Sequence, residues 1–209
     1  MARPVNADAA ATKQRILETA CQLLETVSPS SFSNREVARR ADVSIAMVSH
    51  HFGSKQGLID ACIQTMYPGL DEIAVDLQSQ IAGGTPLATV LDDAVIRCYR
   101  HARRFRAFIR ILNVGVIDSG ALDGRLRPTF EFPGVSQLAT VLATMLGIPE
   151  LEAKLRLKTI MFVVTRYAAG NDQALSDLVS LSTDEATAAV EGHLQAVVRA
   201  LIPIPTPTP

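Results

Sequence analysis

Very little in this chain is spaced for covalent or metal chemistry. Its three cysteines, Cys21, Cys62 and Cys98, are odd in number, far apart and form no CxxC pair, which argues against a disulfide scaffold. Cys21 shares a helix face with Leu17 and Leu24 and reads as buried packing. GxSxG, HExxH, a Walker lysine loop and any ligand-spaced Cys/His cluster are all missing, so no enzymatic activity, cofactor or metal is expected. No segment approaches roughly 18 continuous apolar residues, and the opening MARPVNADAAATKQR lacks the apolar stretch of a secretory signal. The expectation is a soluble, cytoplasmic protein. An excess of charge is missing too. The formal net charge is −1, and residues 1–60 hold seven Lys/Arg against six Asp/Glu. Any contact with nucleic acid must therefore come from arrangement rather than bulk charge.

What is present is apolar material, 48% of 209 residues, ample for one large core or two unequal ones. The most organised stretch is Ser33 to Phe52, SNREVARRADVSIAMVSHHF. Ser33 caps a first short helix, with Glu36 three residues on and able to reach back. Val37, Ala38 and Ala41 form its apolar stripe, and Arg35, Arg39 and Arg40 lie largely off it. Asp42 and Val43 make a turn. Ser44 caps a second helix in which Ile45, Val48 and Phe52 recur at intervals of three and four. Two short helices in this relation suggest a helix-turn-helix.

Thr12 to Asp60 resembles the amino-terminal DNA-binding domain of the TetR family of transcriptional regulators. The most specific parts are REVARRADVS, then HHFGSK and an apolar pair. The resemblance implies an all-α protein: a three-helix DNA-binding domain with helix-turn-helix, carried on a larger helical ligand-binding and dimerisation domain. It also implies a homodimer on double-stranded operator DNA, whose affinity a small-molecule effector changes, and a phosphate-contacting lysine at Lys55. Two positions depart from the family: Ser49 stands where a tyrosine is expected before HHF, and Val27-Ser28-Pro29 replaces a glycine-centred turn.

Four segments follow along the chain: 1–11 a flexible arm, 12–60 the DNA-binding domain, 61–202 the regulatory and dimerisation domain, and 203–209 a Pro-rich tail. The first helix runs from Thr12 to about Val27 on Ile16, Leu17, Ala20, Leu23 and Leu24. Ser54 caps a long connector helix reaching about Ile81, kinked or briefly interrupted at Pro68-Gly69. Residues 86–112 are helical with a break near His101 to Arg103, and 113–133 are the least regular. Helices at 135–146 and 151–167 follow, the latter with an IMFVV run that is apolar all round. Ser182 and Glu185 form a capping box that opens a final helix. The helices near 151–167 and 184–201 are the expected dimer seam, a four-helix bundle across a two-fold axis.

A recognition helix meets base edges with its first turns. Here those turns carry Ser44, Ile45, Ala46, Met47, Ser49 and His50, suited to thymine methyls and limited polar readout. Ser33, Asn34 and Arg35 form one phosphate clamp and Lys55 another. His50 and His51 point about 100° apart on a helix, a poor metal pair. In the regulatory half, Cys98, Tyr99, His101, Phe105, Phe108, Asn113 and Phe130 are candidate ligand-binding residues. Arg97, Arg100, Arg103, Arg104, Arg106 and Arg110 form a basic segment that couples domains, anchors an anion or is solvated. The leading expectation is a repressor released from a palindromic operator. The alternative is an architectural DNA-binding or protein-interaction helical protein without an inducer.

Overall fold

Alanine-rich and leucine-rich periodic segments make the described residues of the computed structural model, 5–28, 30–119 and 133–204, a set of eleven helices without a strand. They form two compact units, 1–68 and 69–209. No helix among the described residues is long and apolar enough to cross a membrane.

The first unit is built on α1 (Val5–Thr26), α2 (Asn34–Arg40), α3 (Ile45–Phe52) and α4 (Lys55–Gln64). α1 begins seven residues ahead of the expected Thr12, so 5–11 are helix rather than arm. Ala9, Ala10 and Ala11 have the highest helix propensity, and Asp8 in the first turn suits the helix dipole. Propensity, not apolar periodicity, decides that end. The short helices α2 and α3, marginal alone, are held by burial of Val37, Ala38 and Val48 against α1 and α4, whose Ile16, Leu23, Leu24, Leu58 and Ile63 are also buried. Each larger apolar side chain contributes about 1.5–3 kcal/mol on burial.

The connector is interrupted rather than continuous. Thr65 and Met66 make i→i−3 hydrogen bonds to Cys62 and Ile63, and α5 (Tyr67–Ala82) restarts with Pro68 in its first turn, where the missing N–H has no intrahelical acceptor to lose. The boundary between the units falls there, not at residue 60.

The second unit comprises the rest of α5 with α6 (Leu87–Arg104), α7 (Arg106–Ser119), α8 (Pro133–Leu146), α9 (Glu150–Ala169), α10 (Asp172–Val179) and α11 (Thr183–Leu201). α9 packs on α6, α7, α8 and α11, and α6 on α11. Tyr99, Leu142, Ile160, Val190 and Leu194 are buried at its centre. The break expected near His101 to Arg103 lies at Phe105, whose N–H reaches the carbonyls of His101 and Ala102, both at 3.2 Å. α7 continues through 113–119, the start of the stretch expected to be least regular. The expected capping box opens α11: the Ser182 N–H donates to the Glu185 carboxylate at 3.1 Å. α10 was not anticipated. The Asn171 side chain caps it by accepting from the Ala174 N–H at 2.8 Å. Phe130, Phe132, Pro29 and 205–209 of the tail lie outside the described residues.

Candidate DNA-binding surface

Capping fixes where each helix of the first unit starts, and so which side chains stand at its free end. Ser33 Oγ accepts the Glu36 N–H at 3.2 Å, Ser44 Oγ the Met47 N–H at 3.2 Å, and Ser54 Oγ the Gly57 N–H at 3.0 Å. A capping hydroxyl still has its own proton to donate, so Ser33 and Ser44 can cap and face a phosphate together. Between α2 and α3, Asp42 takes a left-handed conformation (φ 53°) while the Val43 N–H returns to the Ala38 carbonyl at 3.0 Å. Aspartate is among the few non-glycine residues that tolerate this region.

On α3, Val48 is fully buried, whereas Ile45, Ala46, Met47, Ser49 and His50 are exposed, Ile45 by 44% and Met47 by 40%. Apolar side chains thus stand open on a helix that buries its other face. His51 is half-buried and edge-on to Phe52 at 6.3 Å, while its neighbour His50 points outward. Arg35 and Ser33 are exposed. Asn34 is half-buried, and its Oδ1 finds no partner among the described residues.

Lys55 is the first residue of α4, and the N–H groups of the first turn there precede any intrahelical acceptor. Its exposed ammonium lies 3.5 Å from the Ser30 carbonyl and 6.0 Å from the Phe32 ring centroid, loosely tethered beside the helix end.

Glu36 does not complete the reciprocal half of its capping box. Its carboxylate turns forward to Arg39, at 2.9 and 2.7 Å, and to Arg40, at 2.7 Å. Hydrogen bonds from Arg39 and then Arg40 lower its pKa from 4.5 to about 2. The native pKa is depressed, so this interaction favours the folded state above about pH 4.5 and is lost as pH falls through about 2. A Glu36 carboxyl resonance still ionised at pH 3 would verify it. The same fork partly neutralises two arginines beside Arg35. Glu36→Gln is expected to raise DNA affinity roughly 3- to 10-fold and to steepen the salt dependence by roughly one to two units of slope, read from binding isotherms at several salt concentrations. An unchanged slope would place Arg39 and Arg40 away from DNA.

The ligand candidates are scattered. His101 stacks on Phe105 at 4.8 Å and Phe105 on Phe108 at 5.8 Å, a short aromatic ladder; Cys98 and Asn113 are half-buried. Tyr99 is fully buried, and its hydroxyl finds no partner among the described residues. It lines an open cleft of about 380 Å³ with Arg100, Arg103, Asp184, Thr187, Ala188 and Glu191. Three arginines of the basic segment make ion pairs: Arg97 with Asp76, Arg100 with Glu191 at 2.7 and 2.8 Å, and Arg103 with Asp172 and the Gly170 carbonyl. The partners lie on other helices, beyond the reach of local spacing.

Residues 16–62 match the family model of bacterial regulatory proteins, tetR family. Over 97 residues the chain is 33% identical to "Probable HTH-type transcriptional regulator YttP" of Bacillus subtilis, a match taking in 44% of this chain and 45% of that relative, so it spans about half the relative's length. A tetR-family regulator from Mesorhizobium loti superposes with a TM-score of 0.68 at 16% identity, covering 93% of this chain and 96% of its own. A TetR variant from Acinetobacter baumannii, solved in complex with minocycline, gives 0.58 at 19% identity over 88% and 93% of the two chains. At these identities the two solved structures speak for the fold alone, and the likeness to the tetR family of bacterial regulatory proteins rests on residues 16–62, within α1 to α4.

Proposed function

We propose that the protein is a dimeric transcriptional regulator that binds a palindromic operator through α3 and is released from it by a small-molecule effector, acting as a repressor. The observation that carries the DNA-binding part is the face of α3. Ile45, Ala46, Met47, Ser49 and His50 stand open while Val48 anchors the helix from behind, the arrangement a helix needs to enter a major groove. Thymine methyls suit Ile45, Ala46 and Met47, and Ser49 and His50 supply polar contacts. Ser33, Asn34, Arg35, Ser44 and Lys55 position the helix on the phosphates.

The dimer reading rests on α9 and α11. Leu151, Leu155 and Phe162 are exposed on α9 by 68%, 58% and 63%, and α11 exposes Ala189, Gly192, Ala196 and Ala200. Large apolar side chains beside a helix of small ones fit closely packed partner helices. The effector reading draws on Tyr99, Cys98, His101, Phe105, Phe108 and Asn113. A ligand preferring one arrangement of the dimer shifts an existing equilibrium by its differential affinity.

Footprinting of purified protein on genomic DNA tests the function. Protection of a discrete palindrome with half-sites about 34 Å apart supports it, whereas sequence-independent coating would favour the architectural alternative. Lys55→Ala should weaken binding to all related sites alike, roughly 3- to 10-fold, and reduce the salt slope by about 0.9, because one phosphate neutralisation is lost. A saturating metabolite panel that leaves operator affinity unchanged would count against the effector.

A further inference from the structure

Along α11, Asp184, Thr187, Ala188 and Glu191 recur at i, i+3, i+4 and i+7, the spacing of one helix face. α6 packs on α11 and brings Tyr99, Arg100 and Arg103 to the same place. Between them lies the open cleft of about 380 Å³, at the small end of the roughly 300–1,000 Å³ usual for ligand sites. Tyr99 is fully buried in its wall, yet its hydroxyl meets no partner among the described residues. Buried polar groups are nearly always hydrogen-bonded, so this hydroxyl stands ready for a group that enters the cleft. Burial pushes the phenol up, with Arg103 working against the shift and Glu191 and Asp172 with it. Its proton is therefore there to donate.

The other lining groups leave free valences of both kinds. Arg103 has a side chain only 15% exposed and is taken up by Asp172 and the Gly170 carbonyl. Arg100 is 67% exposed, and its Nε and Nη2 donate to Glu191; a guanidinium carries further N–H donors, enough to serve a second carboxylate. Thr187 gives its hydroxyl proton to the Thr183 carbonyl at 3.0 Å, which leaves Oγ1 as an acceptor. Asp184, exposed in the first turn of α11, has no ion pair among the described residues.

We propose that this cleft binds a free α-amino acid, whose carboxylate accepts hydrogen bonds from the Tyr99 hydroxyl and Arg100 and whose ammonium lies between the Asp184 carboxylate and Thr187 Oγ1. A simple anion would meet the carboxylates of Asp184 and Glu191, and a simple cation would meet Arg100 and Arg103; each like-charge encounter disfavours the wrong ligand. A zwitterion sets each of its charges against the opposite one. This gives a ligand class to the effector reading above. α11 also carries the exposed Ala189 and Gly192 of the proposed dimer seam, so a ligand that braces α11 against α6 biases the arrangement of the dimer. That effect on DNA rests on the effector reading; the binding does not.

Thermal unfolding of the purified full chain with each common L-amino acid in turn, at about 5 mM, should single out at least one that raises the midpoint by about 2 °C or more. Calorimetric titration of that amino acid should give a dissociation constant below about 1 mM, and its decarboxylated amine and its deaminated acid should each bind at least roughly 10-fold more weakly. Tyr99→Phe keeps the ring and removes an unmet hydroxyl, so the unliganded midpoint should hold or rise while affinity falls roughly 10-fold. Asp184→Asn should lower affinity by a similar factor. No response to any amino acid, equal binding of the amine or the acid alone, or undiminished binding in both variants would overturn the site. Binding as described with operator affinity unchanged would support the site and count against the release step. Release of DNA by an amino acid that both variants bind as tightly as the parent would support the effector reading and overturn this cleft.

Discussion

Met47→Asp is expected to leave the protein folded and to lower its affinity for its DNA site by roughly 100-fold or more. Met47 is the third residue of α3, and its N–H, not its side chain, meets the Ser44 cap. An aspartate in the first turn of a helix complements the dipole, and at a position 40% exposed it displaces nothing from the core. Thermal unfolding should therefore be within about 0.5 kcal/mol of the parent. On DNA the same carboxylate would be desolvated between two lines of phosphates, at a cost of about 2–4 kcal/mol. Full affinity in a folded Met47→Asp protein would mean that this face of α3 never enters the groove.

The second large effect is expected at the seam between subunits. Gly192 lies on the exposed side of α11, and a Cβ added there meets nothing within 4 Å, so Gly192→Arg is compatible with the isolated subunit. Replacing a mid-helix glycine even favours that helix by about 0.5–1 kcal/mol. In a dimer packed through α9 and α11 the new guanidinium would be forced between the two copies. Sedimentation should then show a monomer, and affinity for a two-half-site operator should fall roughly 100-fold or more as the bivalent gain disappears. Phe162→Asp, at a side chain 63% exposed on α9, should act the same way. Dimers of unchanged strength in both variants would move the seam elsewhere.

Both expectations depend on elements of unequal visibility in the chain. The helix-turn-helix was legible because local chemistry and tertiary demand agree there: Ser33, Ser44 and Ser54 each cap the helix they precede, and Val37 and Val48 mark the buried faces. The early start of α1 was missed because its alanines give no periodic stripe. α10 was missed because eight residues with Leu175 as the buried anchor leave too short a pattern to distinguish a cap from a stop. Glu36 sat at the right spacing to reach back to Ser33, yet two forward arginines offered it charge-assisted bonds, which are stronger than a single backbone N–H.

Sequence alone determined where the recognition helix begins, which of its residues are apolar and which end of α4 carries the lysine, because caps and short-period patterns act over three or four residues. Only the tertiary structure decided that Arg97, Arg100 and Arg103 meet acidic partners, and that Tyr99 is buried with its hydroxyl unmet among the described residues. Those partners stand between 21 and 91 positions apart. No local rule reaches so far, since it is the packing of one helix face on another that selects which distant side chains meet.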